Sequence, residues 1–143
     1  MNHSRDEKLN RSILHPILPH FPGVELLYLF GSILTHEDFQ DIDFAVFLKD
    51  GLTPYQQIHL ALSLGTRIEE DLAFKWPIDV RILNGAPPYF QFEVISTGVL
   101  IYAIDEGTRV EREYRILHDY LDMKYLYDLF DELTLKEDSH AFA

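Results

Sequence analysis

The chain has 143 residues, with 24 acidic against 12 basic side chains, a formal charge of −12 and a 47% hydrophobic share. That share suits a buried core and excludes a disordered polymer, while the charge disfavours direct contact with a nucleic-acid backbone. No apolar run approaches the ~20 residues of a membrane helix, the charged and proline-bearing first twenty residues do not read as a secretory leader, and the absence of cysteine fits a reducing cytoplasm.

In chain order, Ser4 to His15 reads as a short helix capped by Ser4, with Leu9, Ile13 and Leu14 on one side. Pro16, Pro19 and Pro22 are expected to end it, because proline excludes the preceding residue from helix. Val24 to Phe30 is a near-continuous apolar strand, as expected of a central position covered on both faces. Asp41 to Leu48 is a second such strand. The connection between them is too short for a parallel crossover, so the two are expected to pair antiparallel.

Thr53-Pro54-Tyr55-Gln56 is a helix start: a cap, a proline at the first position and a glutamine placed to reach back. Ile58, Ala61, Leu62, Gly65, Ile68 and Leu72 then make one stripe at helical spacing, expected to face the core. Pro77 to Leu83 is a third strand, closed by Asn84-Gly85 and Pro87-Pro88. Tyr89 to Ser96 reads as a short helix ending near Gly98, Val99 to Ala103 as a small fourth strand, and Glu106 to Leu135 as one long helix. That last helix carries two apolar stripes. One runs through Tyr114, Leu117, Leu121 and Tyr125, the other through Ile116, Tyr120, Met123, Tyr127 and Phe130. One is expected to cover the sheet, and the second, rich in aromatic residues and Met, suits a protein interface.

The chemistry concentrates in Phe30-Gly31-Ser32 and in Asp41-Ile42-Asp43. An apolar strand enters a Gly-Ser turn, and a second apolar strand opens with two aspartates one residue apart. Side chains alternate along a strand, so Asp41 and Asp43 project to the same side. Asp79 lies in the third strand between apolar neighbours, and a carboxylate there is costly to bury without a compensating charge or metal. Three aspartates facing one way offer magnesium the hard oxygen ligands it prefers, and two such ions can clamp the attacking and leaving oxygens of a phosphoryl or nucleotidyl transfer. Gly31 lets backbone approach a triphosphate, and Ser32 offers a hydroxyl and an amide at the start of a short helix. Asp79 is also placed to accept the proton of an attacking hydroxyl.

Other candidates carry less. The seven histidines show no ligand spacing; His15 and His20 straddle prolines, and His36 falls in the motif loop. Arg81 follows Asp79 by two residues and shares its face of the strand, where it can pair with that carboxylate or with a triphosphate. The acidity of the chain requires any nucleotide to arrive with a divalent cation, and it favours a basic protein as macromolecular partner.

Phe30-Gly31-Ser32 with Asp41-Ile42-Asp43-Phe44-Ala45-Val46 resembles the signature of the DNA polymerase beta nucleotidyltransferase superfamily, and the small size matches its minimal branch. Ile78-Asp79-Val80-Arg81-Ile82-Leu83-Asn84-Gly85-Ala86-Pro87-Pro88, with Glu93 to Tyr102, is similar to the antitoxin half of HEPN–MNT toxin–antitoxin pairs. The likeness runs roughly from Val24 to Tyr125. It implies an α/β (α+β) nucleotidyltransferase-like fold: a small mixed sheet flanked by helices, with a long C-terminal helix. One domain would span 1–143, with its core over about 24–104 and the helix over about 106–135.

The same resemblance implies that Asp41, Asp43 and Asp79 hold magnesium and ATP, with Gly31 and Ser32 positioning the triphosphate. AMP would pass from ATP to a tyrosine hydroxyl of a partner HEPN ribonuclease, silencing it within a hetero-oligomer, without direct contact to nucleic acid or membrane. Three departures stand out. The Ile33 to Gln40 spacer is shorter than is common in the family, the turn after Ser32 lacks the family's usual basic residue and glycine, and Gln40 stands before the Asp pair where the family often has serine. Two other readings stay open: a fold that neutralises its partner by binding alone, and a small-molecule nucleotidyltransferase of the aminoglycoside type.

Overall fold

The computed structural model describes the backbone of residues 14–141 and the side chains of residues 14–137. A helical turn α1 (His15–Ile17) and a 3-10 turn (Leu18–His20) lead into β1 (Val24–Phe30), β2 (Ile42–Leu48), α2 (Pro54–Asp71), β3 (Ile78–Ile82), α3 (Pro88–Thr97), β4 (Val99–Ala103) and α4 (Glu106–Ala141). The strands form one sheet in the order β3-β2-β1-β4. β1 pairs antiparallel with both β2 and β4, and β2 pairs parallel with β3. The short β1–β2 connection therefore does join antiparallel neighbours, and the parallel pair is bridged by α2, as a parallel crossover requires.

The two central strands are buried on both faces, as their unbroken apolar runs predict. Leu27, Leu29, Phe44 and Val46 face a layer containing Leu64 and Ile68 of α2 together with Leu14 and Ile17. Leu26, Tyr28, Ala45 and Phe47 face Val94 of α3 and Ile116 of α4. The alternation places Asp43, two residues before Ala45, on the α3 side.

α2 begins as read. Thr53 Oγ1 accepts from the Gln56 amide at 3.2 Å, and Gln56 Oε1 accepts from the Thr53 amide at 2.9 Å. Of its expected core stripe, Ala61, Gly65 and Ile68 are buried and Leu72 packs against the core, joined by Leu64, whereas Ile58 and Leu62 are a correction, being 54% and 67% exposed. α2 rests on β3 at Gly65, its one residue without a side chain, where a Cβ would lie 3.3 Å from Val80 Cγ2, and the burial of Leu64 and Ile68 in the core turns Ile58 and Leu62 outward.

Two further readings are corrected. The helix over Ser4 to His15 falls mostly outside the described residues, but Pro16 does not end a helix. It sits in the first turn of α1, and Pro19 sits in the first turn of the following 3-10 segment. At those positions the missing amide costs nothing, because the first donors of a helix have no partner anyway. On α4 it is the Ile116 stripe that meets the domain. Ile116 is buried and Tyr120 stacks flat on Phe92 at 4.0 Å between ring centroids, while Tyr114, Leu117, Leu121 and Tyr125 stay exposed. The stripe read as interface is thus the packed one over the first half of the helix. No helix among the described residues is long and apolar enough to cross a membrane.

Candidate functional site

β1 delivers Phe30 opposite Asp43 in β2, and β2 delivers Asp43 opposite Asp79 in β3. Asp43 is consequently the middle residue of a row that crosses three strands, with Phe30 on one side and the Asp79 carboxylate on the other. Gly31 follows directly with φ 88° and ψ −157°, a conformation open essentially only to glycine. It also lies against Asp43: a Cβ at Gly31 would overlap carboxylate Oδ2. Glycine is required here twice, once by its dihedral angles and once by its neighbour.

The chain then tightens into a 3-10 turn over Ser32–Leu34. The amides of Thr35 and His36 donate to the Ser32 carbonyl at 3.1 and 2.8 Å. The Ser32 side chain is half-buried, and Thr35 Oγ1 shares a hydrogen bond with His36 Nδ1 at 2.8 Å. β2 opens at Ile42, so Asp41 stands just before the strand and is exposed, Asp43 is half-buried, and Asp79 is exposed. The Ile42 amide donates to the Pro77 carbonyl at 3.0 Å, tying the starts of β2 and β3 together.

The electrostatics follow from this row. The Asp43 carboxyl is held above the usual carboxylate range, first by burial, then by the negative charges of Asp41 and Asp79, with Arg81 pulling the other way. All three aspartates therefore feel one another at Asp43. Arg81 Nε lies 3.5 Å from Asp79 Oδ2, and the Arg81 guanidinium lies over the Phe90 ring at 5.4 Å. Phe90 in turn meets Phe30 edge-on at 5.7 Å. Arg81 is thus paired with Asp79, one of the two arrangements open to it in the sequence.

The donor chemistry fits a hard divalent cation: three carboxylates, one of them destabilised by the other two, on a face that a counter-charge would relieve. Convergence is incomplete, because among the described residues no three such side chains are gathered closely enough to hold an ion. Asp79 is turned toward Arg81. Phe90 escaped sequence reading: it lies under Arg81 and against Phe30, and only the three-dimensional meeting of α3 with β1 and β3 places it there.

A family model described as polymerase beta, nucleotidyltransferase matches residues 13–107. No curated protein matches the chain in sequence. Among solved structures, the chain is similar to one in a complex of tri-AMPylated Shewanella oneidensis HEPN toxin with MNT antitoxin. That match has 20% identity and a TM-score of 0.60, covering 94% of this chain and 99% of the other. A toxin–antitoxin structure with AMP-PNP matches at 21% identity and TM-score 0.61, covering 85% and 95% of the two chains. The MntA-HepT toxin–antitoxin matches at 20% identity and TM-score 0.53, covering 95% and 97%. At such identities the likeness is one of fold: a mixed four-stranded sheet with helices and a long C-terminal helix. With well over half of its length matched by the family model, the chain belongs to the polymerase beta nucleotidyltransferase family.

Proposed function

We propose that this chain transfers AMP from magnesium-bound ATP to a tyrosine hydroxyl of a HEPN-type ribonuclease, and so acts as the antitoxin of a toxin–antitoxin pair. The observation that carries the reading is Asp43, lodged between Gly31 and Asp79 and kept from easy ionisation by its own burial and its acidic neighbours. Carboxylates whose ionisation is opposed by burial and by like charges gather at functional sites. The fold's likeness to a complex containing AMPylated HEPN toxin supports the acceptor.

In this reading the acceptor hydroxyl oxygen attacks the α-phosphorus of ATP. The bond from that phosphorus to the bridging oxygen breaks, pyrophosphate leaves, and the hydroxyl proton passes to the Asp79 carboxylate. Bound magnesium, with Asp41, Asp43 and Asp79 as its carboxylate ligands, would offset the charge of the triphosphate. Gly31 lets the chain turn without a side chain between backbone and phosphates, and the half-buried Ser32 presents its hydroxyl there. Arg81 leaves Asp79 for the phosphates as these arrive, since both are anionic partners for one guanidinium.

A second reading has its own support. Asp79 rests on Arg81, and the three carboxylates are not drawn together, which suits a protein that silences its partner by covering it. Intact-mass measurement of the partner after incubation with this chain, magnesium and ATP separates the two. Transfer adds whole adenylate units, and none appears with Asp41→Ala/Asp43→Ala. A partner that is silenced yet keeps its original mass would establish the binder.

A further inference from the structure

α4 is 36 residues long, about 54 Å at the usual rise, and only its first half rests on the domain. Glu113 accepts from the Tyr28 hydroxyl at 2.7 Å, Ile116 is buried, and Tyr120 stacks on Phe92. Met123 is the last residue with partial cover, and every described side chain from Lys124 to Glu137 is exposed. The apolar pattern does not stop there. Ile116, Tyr120, Met123, Tyr127 and Phe130 repeat at alternating spacings of four and three, the seam of a helix that packs along another helix.

The first three residues of the seam are covered by the domain, whereas Tyr127 and Phe130 are 62% and 64% exposed. Leu126 and Leu133, four residues before and three after Phe130, adjoin the seam and are exposed as well. A free helical half of this kind is marginal in water, because most helix stability in proteins comes from packing an apolar face. A patch of contiguous aromatic and leucine side chains marks an interaction surface.

We infer that residues 123–133 of α4 are the docking surface for a basic helix of the HEPN-type ribonuclease, an inference that rests on the partner named above. The seam's spacing calls for a helix. Its rim calls for positive charge: Asp119, Asp122, Asp128, Asp131, Glu132 and Glu137 surround it, against Lys124 and Lys136. A second copy of this chain would set the same acids against one another, which disfavours self-association. A ribonuclease must carry cationic groups to hold an RNA backbone, so its surface complements a chain of charge −12.

The test uses the full-length chain and its cognate HEPN ribonuclease, with affinity read by biolayer interferometry and burial by hydrogen exchange. Tyr127→Glu/Phe130→Glu changes only exposed side chains, so its circular dichroism and melting are expected to match the parent. Its affinity should fall at least ~30-fold, the loss typical of two anchor residues. Amides over 124–137 should slow in the parent complex. Undiminished binding by the double variant, or protection confined elsewhere, overturns the docking surface and leaves the transfer reading standing. Failure of the parent to bind the ribonuclease overturns both. A homodimer in sedimentation that the double variant abolishes overturns the heterologous occupant.

Discussion

Gly31 and Asp43 face each other across β1 and β2 so closely that the carboxylate occupies the space of a Cβ. The turn that presents Ser32 and the carboxylate at the centre of the acidic row are thus one packed unit. Gly31→Ala must both leave a glycine-only conformation and push Asp43 aside. It is expected to cost about 2 kcal/mol, a fall of roughly 5–10 °C in Tm, and to abolish transfer. Gly51→Ala is the control. Gly51 has φ 90° with nothing within 4 Å of a new Cβ, so it should melt lower by the strain alone and keep its activity. Differential scanning calorimetry of both variants, beside an AMP-transfer assay, makes the comparison.

Asp43→Asn is expected to raise stability while removing activity. The folded protein holds a proton on Asp43 to higher pH than the unfolded chain does, because burial and the charges of Asp41 and Asp79 disfavour the carboxylate. The native state therefore binds more protons across the interval between the ordinary carboxylate pKa and the raised one. Stability falls as pH rises through that interval and stays lower above it. Asparagine carries no such penalty. Without metal at pH 7, the variant should melt roughly 1–3 °C higher, and the gain should vanish below the carboxylate range. Thermal melts at pH 7 and pH 3 test the sign.

Arg81→Ala should separate stability from activity. Its ion pair with Asp79 joins two side chains that are both more than half exposed, and such pairs contribute less than about 1 kcal/mol. Transfer should nevertheless fall at least ~10-fold, seen as a raised KM for ATP, if the guanidinium moves to the phosphates. Arg81→Lys should recover little of this, because lysine reproduces neither the fork of donors nor the stacking on Phe90.

Tyr28→Phe has the opposite profile. The Tyr28 hydroxyl is buried in the sheet and donates to Glu113 Oε1 at 2.7 Å, while Arg109 holds the other oxygen of that carboxylate at 2.7 Å. Loss of the donor should cost about 1–2 kcal/mol without altering transfer. Because burial and Glu113 push the phenol far above its ordinary value, alkaline absorbance titration should show one tyrosine that ionises only on unfolding.

The strands, the Gly-Ser turn, the placing of Asp43 beside Asp79 and the Thr53 capping box were legible because each depends on local chemistry: unbroken apolar runs, dihedral freedom, alternation of faces, reciprocal capping. Rotations of helices were not. On α2, Ile58, Leu62 and Gly65 form as regular a stripe as Ala61, Leu64, Gly65 and Ile68, and only the packing of Leu64 and Ile68 into the core under the central strands selects the second. On α4 two apolar stripes compete, and stacking of Tyr120 on Phe92 settles which one meets the domain. The pairing of Arg81 with Asp79 was legible as one of two alternatives, since strand alternation places both on one face. The Phe30–Phe90 wall depends on distant segments meeting and left no trace in local sequence.

Calorimetric titration of ATP into the purified chain, with and without magnesium, tests most directly whether the aspartate row serves a nucleotide. Binding should require magnesium and should disappear in Asp41→Ala/Asp43→Ala while that variant melts cooperatively. Binding that is equally tight without any divalent ion, or unchanged in the double variant, would contradict the account.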